Sequence, residues 1–331
     1  MAGFKVVVTD YVFPSLDIER EILGAIGAEL VPMQATSEEE ILEAARDADG
    51  LLVCYAPVTR RVIEGLRKCR IIARYGIGVD NVAVDAAAER GIIVTNVPDY
   101  CIEEVSDHAL ALLLACARRI SYLDRKVRSG RWEAKDAVPI FRLRGQVLGL
   151  VGFGKIPRNL AKKAKALGLE VIAYDPYIGA ADMEAQGVEK VELETLLRRA
   201  DFVSIHTPLT AETRGLIGEA QLRMMKPTAY LINTARGPIV KESALVRALQ
   251  EGWIAGAALD VLETEPPPRD HSLFALDNVI LTPHVGFYSE ESLRELQRKA
   301  AEEVARVLTG QSPRYPVTPL PTQTRREGGL Q

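Results

Sequence analysis

The sequence contains few cysteines, and none of them forms a CxxC pair. The four are Cys54, Cys69, Cys101 and Cys116. A chain of 331 residues is long enough to bury full cores without crosslinks, and disulfide frameworks belong mainly to small exported domains. We therefore expect free, buried thiols in a reducing cytoplasm.

Long apolar runs and basic blocks are also absent from the sequence. The longest fully apolar run, Ala109–Ala117, has nine residues, whereas a transmembrane helix needs about 20. The start of the chain, Phe4–Val8, is typical of a first strand and not of a signal peptide. Lys and Arg total 41 against 45 Asp and Glu, a net charge of −4, which disfavours nucleic acids and anionic membranes as partners.

What the sequence does contain is a repeated alternation of β-branched runs and amphipathic stretches, which predicts parallel α/β sheets. Ser37 and Glu40 form the pattern of a capping box, and Gly91 ends a helix just before a strand. The first set of predicted strands is Lys5–Thr9, Leu51–Tyr55, Ile71–Arg74 and Ile92–Asn96. A second set is Val147–Val151, Val171–Asp175, Phe202–His206, Tyr230–Asn233, Ala255–Asp260 and Val279–Thr282. The sequence thus predicts two doubly wound parallel-sheet domains.

One long helix, from about Glu103 to Ser129, is predicted between the two sets of strands. Its apolar residues recur every three or four positions and mark one buried face. Over Ala109–Ala117 the helix is apolar on all sides, so we expect it to be covered by another domain or another subunit.

A glycine-rich turn follows the predicted strand Val147–Val151 and opens a helix. In the run Gly152-Phe153-Gly154-Lys155-Ile156-Pro157, the first glycine allows a tight turn and the second lets the backbone approach a pyrophosphate. Pro157 replaces the third glycine of the usual pattern, and a first helical turn tolerates proline. Taken alone, the run also fits a glycine-rich loop that binds nothing.

Asp175 lies at the end of the next predicted strand, where a carboxylate can accept hydrogen bonds from an adenine ribose. The following Pro176-Tyr177 offers no basic side chain to a 2′-phosphate, which the carboxylate would also repel. The sequence therefore predicts NAD as the cofactor in preference to NADP, and it predicts no metal site.

Polar residues follow three later strands, where open α/β sheets bind ligands. Arg236 can hold a carboxylate through its planar fork. His284 can exchange a proton near neutral pH, and Glu265 could orient and charge it. The other histidines differ: His108 is predicted to pack inside the apolar helix, and His271 to be solvated in a loop. Spacing alone does not decide whether His284 is catalytic.

Together these motifs resemble the NAD-dependent D-2-hydroxyacid dehydrogenase family over nearly the whole chain. The resemblance rests on Gly152-Phe153-Gly154 with Asp175, Asn233–Gly237, Ala258–Val261, Thr282–His284 and a substrate-loop-like run at Arg74–Asn81. Tyr174–Tyr177 and Phe287–Ser289 are most similar to the branch that contains the C-terminal-binding proteins.

The resemblance implies an oxidoreductase that moves hydride between NAD(H) and a small 2-oxo or D-2-hydroxy acid. Arg236 would bind the substrate's carboxylate and carbonyl, His284 would be the acid/base, and Glu265 its partner. The implied substrate contacts are Tyr75, Gly76, Ile77, Arg236 and Phe287. The implied cofactor contacts are Gly152, Phe153, Gly154, Lys155, Ile156, Asp175, His206, Thr207, Pro208, Thr213, Thr234, Ala235, Arg236, Asp260, His284 and Gly286.

The resemblance also implies the domain organisation. Residues 1–102 and 290–331 would form a discontinuous, flavodoxin-like substrate domain, and residues 103–289 a Rossmann NAD-binding domain. Within the first, the segment from 290 to 309 is predicted to be a helix and 322–331 a loose tail. The apolar helix and the segment to Gly145 predict a homodimer.

Four other functions compete with this interpretation. An NAD-sensing corepressor-like protein would bind NADH without consuming it. The presence of Arg236, Glu265 and His284 favours an enzyme but does not exclude such a binding role. An NADPH-linked glyoxylate or hydroxypyruvate reductase is disfavoured by Asp175, and a formate dehydrogenase by Glu265. A long phosphoglycerate dehydrogenase would need a further regulatory domain. The sequence does not reveal which acid is used.

Overall fold

The computed structural model describes residues 3–319, and the chain divides into two compact units. The first unit contains the chain up to Tyr100 and again from Ser289, and the second contains Cys101–Tyr288. The tail predicted at 322–331 lies outside the described residues.

The first unit is built on a five-stranded parallel sheet in the order β2-β1-β3-β4-β5. This is the strand order of flavodoxin-like folds. Its strands are β1 (Lys5–Val8), β2 (Glu29–Pro32), β3 (Gly50–Val53), β4 (Ile71–Arg74) and β5 (Ile93–Thr95). Every residue of β3 and β4 is buried, as expected for central strands covered on both faces.

The second unit contains seven parallel strands in the order β12-β11-β10-β9-β6-β7-β8. Read from β8, this is the Rossmann order with one added strand, so that the direction of winding reverses between β6 and β9. Its strands are β6 (Val147–Val151), β7 (Glu170–Tyr174), β8 (Glu189–Lys190), β9 (Phe202–Ile205), β10 (Tyr230–Asn233), β11 (Gly256–Leu259) and β12 (Val279–Leu281). The predicted fold class is confirmed.

Helices cover these sheets. Those of the first unit are α1 (Asp17–Gly24), α2 (Glu38–Ala45), α3 (Arg60–Gly65), α4 (Val84–Glu89) and α12 (Glu290–Leu308). Those of the second are α5 (Ile102–Ala117), α6 (Ile120–Arg128), α7 (Lys155–Ala166), α8 (Ala180–Glu184), α9 (Leu193–Arg199), α10 (Glu219–Met224) and α11 (Glu242–Gln250). At the start of α2 the Ser37 side chain accepts the Glu40 N–H, and the Glu40 carboxylate accepts the Thr36 N–H. Among residues 3–319 no helix combines the length and apolar character needed to cross a bilayer.

The prediction of one helix from Glu103 to Ser129 is wrong. The helix breaks after α5, because Arg119 adopts a left-handed backbone with φ of 52°. Its guanidinium lies 4.3 Å from the centre of the Tyr122 ring and donates to the Val138 carbonyl. Residues on one side of α5 pack into the core of the second unit, whereas α6 has no buried residue. The predicted buried face therefore ends at Ala117.

Two strands, β2 and β8, were not predicted from the sequence. Both lie at a sheet edge, and neither contains a buried residue. A short edge strand needs no apolar side chains, so β2 includes Glu29 and Pro32 and lacks the pattern of a core strand.

Candidate active site

The glycine-rich turn lies where the winding of the second sheet reverses. Gly152 follows β6 with φ of +96°, and a Cβ there would lie 2.9 Å from the Thr207 nitrogen. Only glycine fits both the left-handed backbone and this close approach to the chain after β9. Gly154 is exposed, with nothing within 4 Å of the position a Cβ would take. The backbone at Gly154, the residue before α7, is therefore open to a ligand, while Pro157 is buried in the first turn of that helix.

Asp175 lies beside this turn, as the sequence predicts for a ribose ligand. One carboxylate oxygen accepts the Phe153 N–H and the other accepts the Tyr177 N–H, each at 2.8 Å. The carboxylate thus links the end of β7 to the glycine-rich turn and holds a negative charge there.

The segment after β9 forms the other side of the turn. His206 Nε2 lies 2.8 Å from Ser204 Oγ, and burial lowers the pKa of His206 to about 3. This imidazole is neutral at physiological pH and cannot act as an acid there. Thr213 Oγ1 donates to the Pro208 carbonyl at 2.6 Å and closes the loop.

A buried carboxylate organises the segment that carries the catalytic candidate. Asp260 follows β11, is 3% exposed, and accepts from Thr282 Oγ1 at 2.6 Å and from the N–H groups of Val285 and Gly286 at 2.9 and 2.8 Å. Burial alone would raise the Asp260 pKa, but these hydrogen bonds and one from His108 hold it below its usual value. Asp260 is therefore a buried anion saturated by protein donors.

In the sequence His284 lies between two of these donors, Thr282 and Val285, and its side chain pairs with Glu265. Its backbone has φ of 51°, a left-handed conformation that is uncommon for residues other than glycine. His284 Nδ1 lies 2.6 Å from Glu265 Oε2, and the other carboxylate oxygen accepts the Leu262 N–H. The structure thus brings together the two residues predicted as an acid/base pair and leaves the imidazole one-quarter exposed.

Arg236 follows β10 in a segment that packs directly on the loop after β11. A Cβ at Gly237 would lie 1.9 Å from the Leu262 carbonyl carbon, so only glycine allows these two backbones to touch. Arg236 Nη1 donates to the Ala235 carbonyl at 2.8 Å. Arg236 and Glu265 are therefore carried by contacting loops.

The remaining aromatic and histidine candidates differ in their surroundings. The Phe287 ring meets the His284 ring edge-on, with centroids 6.2 Å apart. Because the Thr282 hydroxyl donates to Asp260, its oxygen accepts from His108 Nε2–H at 2.9 Å, so His108 is a polar packing residue. The prediction that His271 is solvated is wrong, since its side chain is 12% exposed and contacts Glu242 at 2.7 Å.

In the first unit, the turn after β4 presents hydrogen-bond donors at the carboxyl end of the sheet. The Tyr75 and Gly76 amides are already used, donating to Val53 and Arg74 carbonyls. Within residues 3–319 the amides of Ile77 and Gly78 donate to no protein acceptor. Arg74, 8% exposed, has an Nε without a partner in this same part of the chain. No pattern in the sequence singles out Arg74 or Gly78 as a ligand-binding residue, although both lie in the substrate-loop-like run Arg74–Asn81.

The comparisons with known proteins agree with this arrangement. Residues 110–286 match the family model described as D-isomer specific 2-hydroxyacid dehydrogenase, NAD binding domain. A glyoxylate reductase from Korarchaeum cryptofilum is 44% identical over 84% of this chain and 85% of its own length. The chain belongs to this family. It is an NAD(P)-dependent oxidoreductase that transfers hydride between the nicotinamide cofactor and 2-oxo or 2-hydroxy acids.

Two further relatives of this dehydrogenase show how broad the family is. A D-3-phosphoglycerate dehydrogenase from Methanocaldococcus jannaschii is 43% identical over 93% of the chain, which spans 58% of that protein's length. The structure of an NADPH-dependent glyoxylate/hydroxypyruvate reductase from Sinorhizobium meliloti has a TM-score of 0.86 and 30% identity, covering 97% of this chain and 98% of that one. None of these comparisons separates the C-terminal-binding-protein-like branch from the rest, so that narrower resemblance stays a prediction.

The residues of the second unit fit an NAD molecule. Open space lies in front of Gly154, and Thr234 Oγ1 is buried without a partner among residues 3–319. A buried hydroxyl of this kind is suited to a ligand, because leaving it unpaired costs about 1–3 kcal/mol.

Two alanine substitutions in the glycine-rich turn should separate folding from cofactor binding. Gly152→Ala should lower the free energy of unfolding of the apoprotein by about 1–3 kcal/mol, because its backbone is left-handed and the Cβ is crowded. Gly154→Ala should leave that free energy within about 0.5 kcal/mol but weaken NADH binding about ten-fold, because the methyl group would fill the approach to the backbone. Denaturant unfolding and NADH fluorescence titration measure the two effects. Equal loss of stability in both variants would contradict the assignment.

Proposed function

We propose that this dehydrogenase reduces small 2-oxo acids of about the size of glyoxylate, with NADH as the preferred cofactor. The observation that carries the proposal is the 2.6 Å contact between His284 Nδ1 and Glu265 Oε2 at the carboxyl ends of the second sheet's strands. The identity to glyoxylate reductases, 44% in the Korarchaeum protein, supports the size of the substrate.

Reduction needs a proton at the carbonyl oxygen as hydride reaches the carbon, and bound NADH supplies the hydride. We assign the proton to the Nε2 atom of His284, because Nδ1 is occupied by Glu265. The Glu265 carboxylate, in contact with Nδ1, would orient the ring for this transfer. Arg236 would bind the carboxylate and carbonyl through its planar guanidinium, and Phe287, beside the histidine ring, would contact the substrate's side chain.

The first unit offers backbone donors for the substrate carboxylate, in a narrower set than the sequence predicts. Because the Tyr75 and Gly76 amides are used within the fold, we assign the binding to the amides of Ile77 and Gly78. The Tyr75 side chain is buried and cannot contact a substrate. A guanidinium at Arg74 adds positive charge near this turn and supports an anionic ligand.

A substrate screen tests the proposal. Glyoxylate, hydroxypyruvate, pyruvate and 3-phosphohydroxypyruvate should each be offered with NADH. We expect glyoxylate and hydroxypyruvate to be reduced most efficiently. Preferred reduction of the phosphorylated acid would replace the proposal by a phosphoglycerate dehydrogenase activity. Tight NADH binding with no consumption in the presence of any acid would instead favour an NAD-sensing interaction protein.

Asp175 should set the cofactor preference. The Sinorhizobium relative is NADPH-dependent, so family membership alone does not decide between the two nucleotides. We expect kcat/KM with NADH to exceed that with NADPH, and Asp175→Ala to raise the NADPH-to-NADH ratio about ten-fold, a change of about 1.4 kcal/mol. The ratio is the proper measure, because the substitution also removes the acceptor for the Phe153 N–H and weakens binding of both nucleotides. Wild-type turnover that is equal or better with NADPH would refute the assignment.

Glu265→Gln should slow reduction more than it weakens NADH binding. Glutamine keeps an acceptor for the Leu262 N–H but replaces the carboxylate that contacts His284 Nδ1 by a neutral amide. The kcat of reduction should fall about 10- to 100-fold. His284→Ala, the control, should lose at least about 100-fold in kcat and still bind NADH. An unchanged kcat in Glu265→Gln would mean that Glu265 takes no part in the reaction.

We also propose that the protein forms a homodimer through residues 118–145. This segment exposes several apolar side chains, among them Ile120, Trp132, Val138 and Phe141, and Trp132 is 86% exposed. Such a surface is unusual for a monomer.

Light scattering at micromolar concentration should therefore give the mass of a dimer. Trp132→Glu should shift the mass toward the monomer, because it places a charge in the apolar interface. Tyr177→Glu is the matched control, since Tyr177 is 88% exposed but lies outside this segment. A monomeric wild type, or equal effects of both substitutions, would contradict the proposal.

A further inference from the structure

We propose that three buried polar residues of the first unit, Glu19, Tyr75 and Gln297, position the turn at Ile77 and Gly78 for binding the substrate carboxylate. We call them the Glu19 cluster. The inference rests on the proposed function, because it takes the amides of that turn as substrate ligands. None of the three side chains would contact the substrate, so they are positioning residues.

The contacts within the cluster join three separate parts of the first unit. Tyr75, which follows β4, donates its hydroxyl to Glu19 Oε1 of α1 at 2.8 Å. Gln297 Nε2, from α12, lies 3.1 and 3.0 Å from the two Glu19 oxygens and also donates to the Ser15 carbonyl at 2.9 Å. The Phe13 ring meets the Tyr75 ring edge-on, with centroids 4.9 Å apart. The Tyr75 side chain is therefore fixed in direction as well as buried.

Burial of a carboxyl group here is costly, and simple packing does not explain it. Glu19 is 0% exposed, Tyr75 2% and Gln297 5%. Burial raises the pKa of Glu19, and the hydrogen bonds from Tyr75 and Gln297, with the nearby charge of Arg20, act in the opposite direction. Apolar side chains of similar volume are often as stable as a buried charged cluster. What the polar cluster adds is a fixed direction for the tyrosine hydroxyl.

Fixing Tyr75 also fixes the donors that follow it. The Tyr75 N–H is bound to Val53, and Gly76 turns the chain with φ of +140°. The carbonyls of Gly76 and Ile77 accept from the Val97 N–H and from Asn96 Nδ2, at 2.9 and 2.7 Å. The turn is thus held through the Tyr75 side chain at one end and through the segment after β5 at the other. Among residues 3–319 the amides of Ile77 and Gly78 donate to no protein acceptor, and we assign them to the ligand.

A loosened turn should weaken substrate binding, and it should not affect the cofactor. Tyr75→Phe removes one hydroxyl and no carbon, and we expect it to raise KM for the 2-oxo acid about five-fold. The dissociation constant of NADH should stay within about two-fold, and kcat should change less than KM.

Two substitutions at Glu19 distinguish positioning from general stability. Glu19→Gln keeps an oxygen that can accept from the Tyr75 hydroxyl and should keep KM within about two-fold of wild type. Glu19→Met has a similar length without an acceptor and should raise KM as Tyr75→Phe does. Because both act through one hydrogen bond, the double variant Glu19→Met/Tyr75→Phe should be no worse than either single variant.

A control variant removes a methyl group elsewhere in the same unit. Ile41→Val lies in the buried cluster under α2, and it should lower the thermal unfolding temperature without changing KM. The inference is overturned if Tyr75→Phe and Glu19→Met unfold at lower temperature but keep the wild-type KM. If the wild type reduces no 2-oxo acid at all, the proposed function fails and this inference fails with it. Normal turnover with an unchanged KM in the variants overturns the inference alone.

Discussion

The geometry of His284, the catalytic candidate, depends on the hydrogen bonds that the buried Asp260 carboxylate accepts. Three of its donors, Thr282 Oγ1 and the N–H groups of Val285 and Gly286, lie on both sides of His284. An ion of this kind is tolerated inside a protein only when its oxygens are paired, so the segment has little freedom to rearrange. The strained backbone of His284 is then maintained by Asp260, and the histidine side chain contacts Glu265.

Carboxylates after strand ends perform similar tasks elsewhere in the molecule. Asp175 joins the end of β7 to the glycine-rich turn, and Asp10, after β1, accepts the N–H groups of Cys54 and Tyr55 after β3. The carboxyl ends of parallel strands leave peptide N–H groups without sheet partners, and a short acidic side chain satisfies them while closing the loop. In both sheets, therefore, a carboxylate that accepts backbone N–H groups holds the loops at the carboxyl ends of the strands.

The sequence predicts those features that follow from local patterns. Apolar runs and glycines at the ends of strands and helices mark several features in the sequence. They made it possible to predict the central strands, the glycine-rich turn and the residues after β10, β11 and β12. The break at Arg119 could not, since apolar spacing continues through α6 and only a tertiary contact to Val138 accompanies the left-handed residue. The partner of His271 and the Glu19 cluster were also missed. Their contacts join residues 29 and 278 positions apart, and no periodicity in a single sequence reports such distances.

The difference between features set by local sequence and features set by a few tertiary contacts also explains why the family is easier to establish than the substrate. The turn at Gly152, the Asp260 donors and the His284–Glu265 contact are backbone and short-range features that a reductase and a dehydrogenase of this family can share. Relatives with different activities accordingly show nearly equal identity to this chain, 44% and 43%. Under the proposed function, substrate choice would depend instead on a few side chains, such as Arg74 beside the donor turn and Phe287 beside the histidine. Because changing these few side chains costs little in overall identity, relatives that differ in substrate remain about equally similar to this chain.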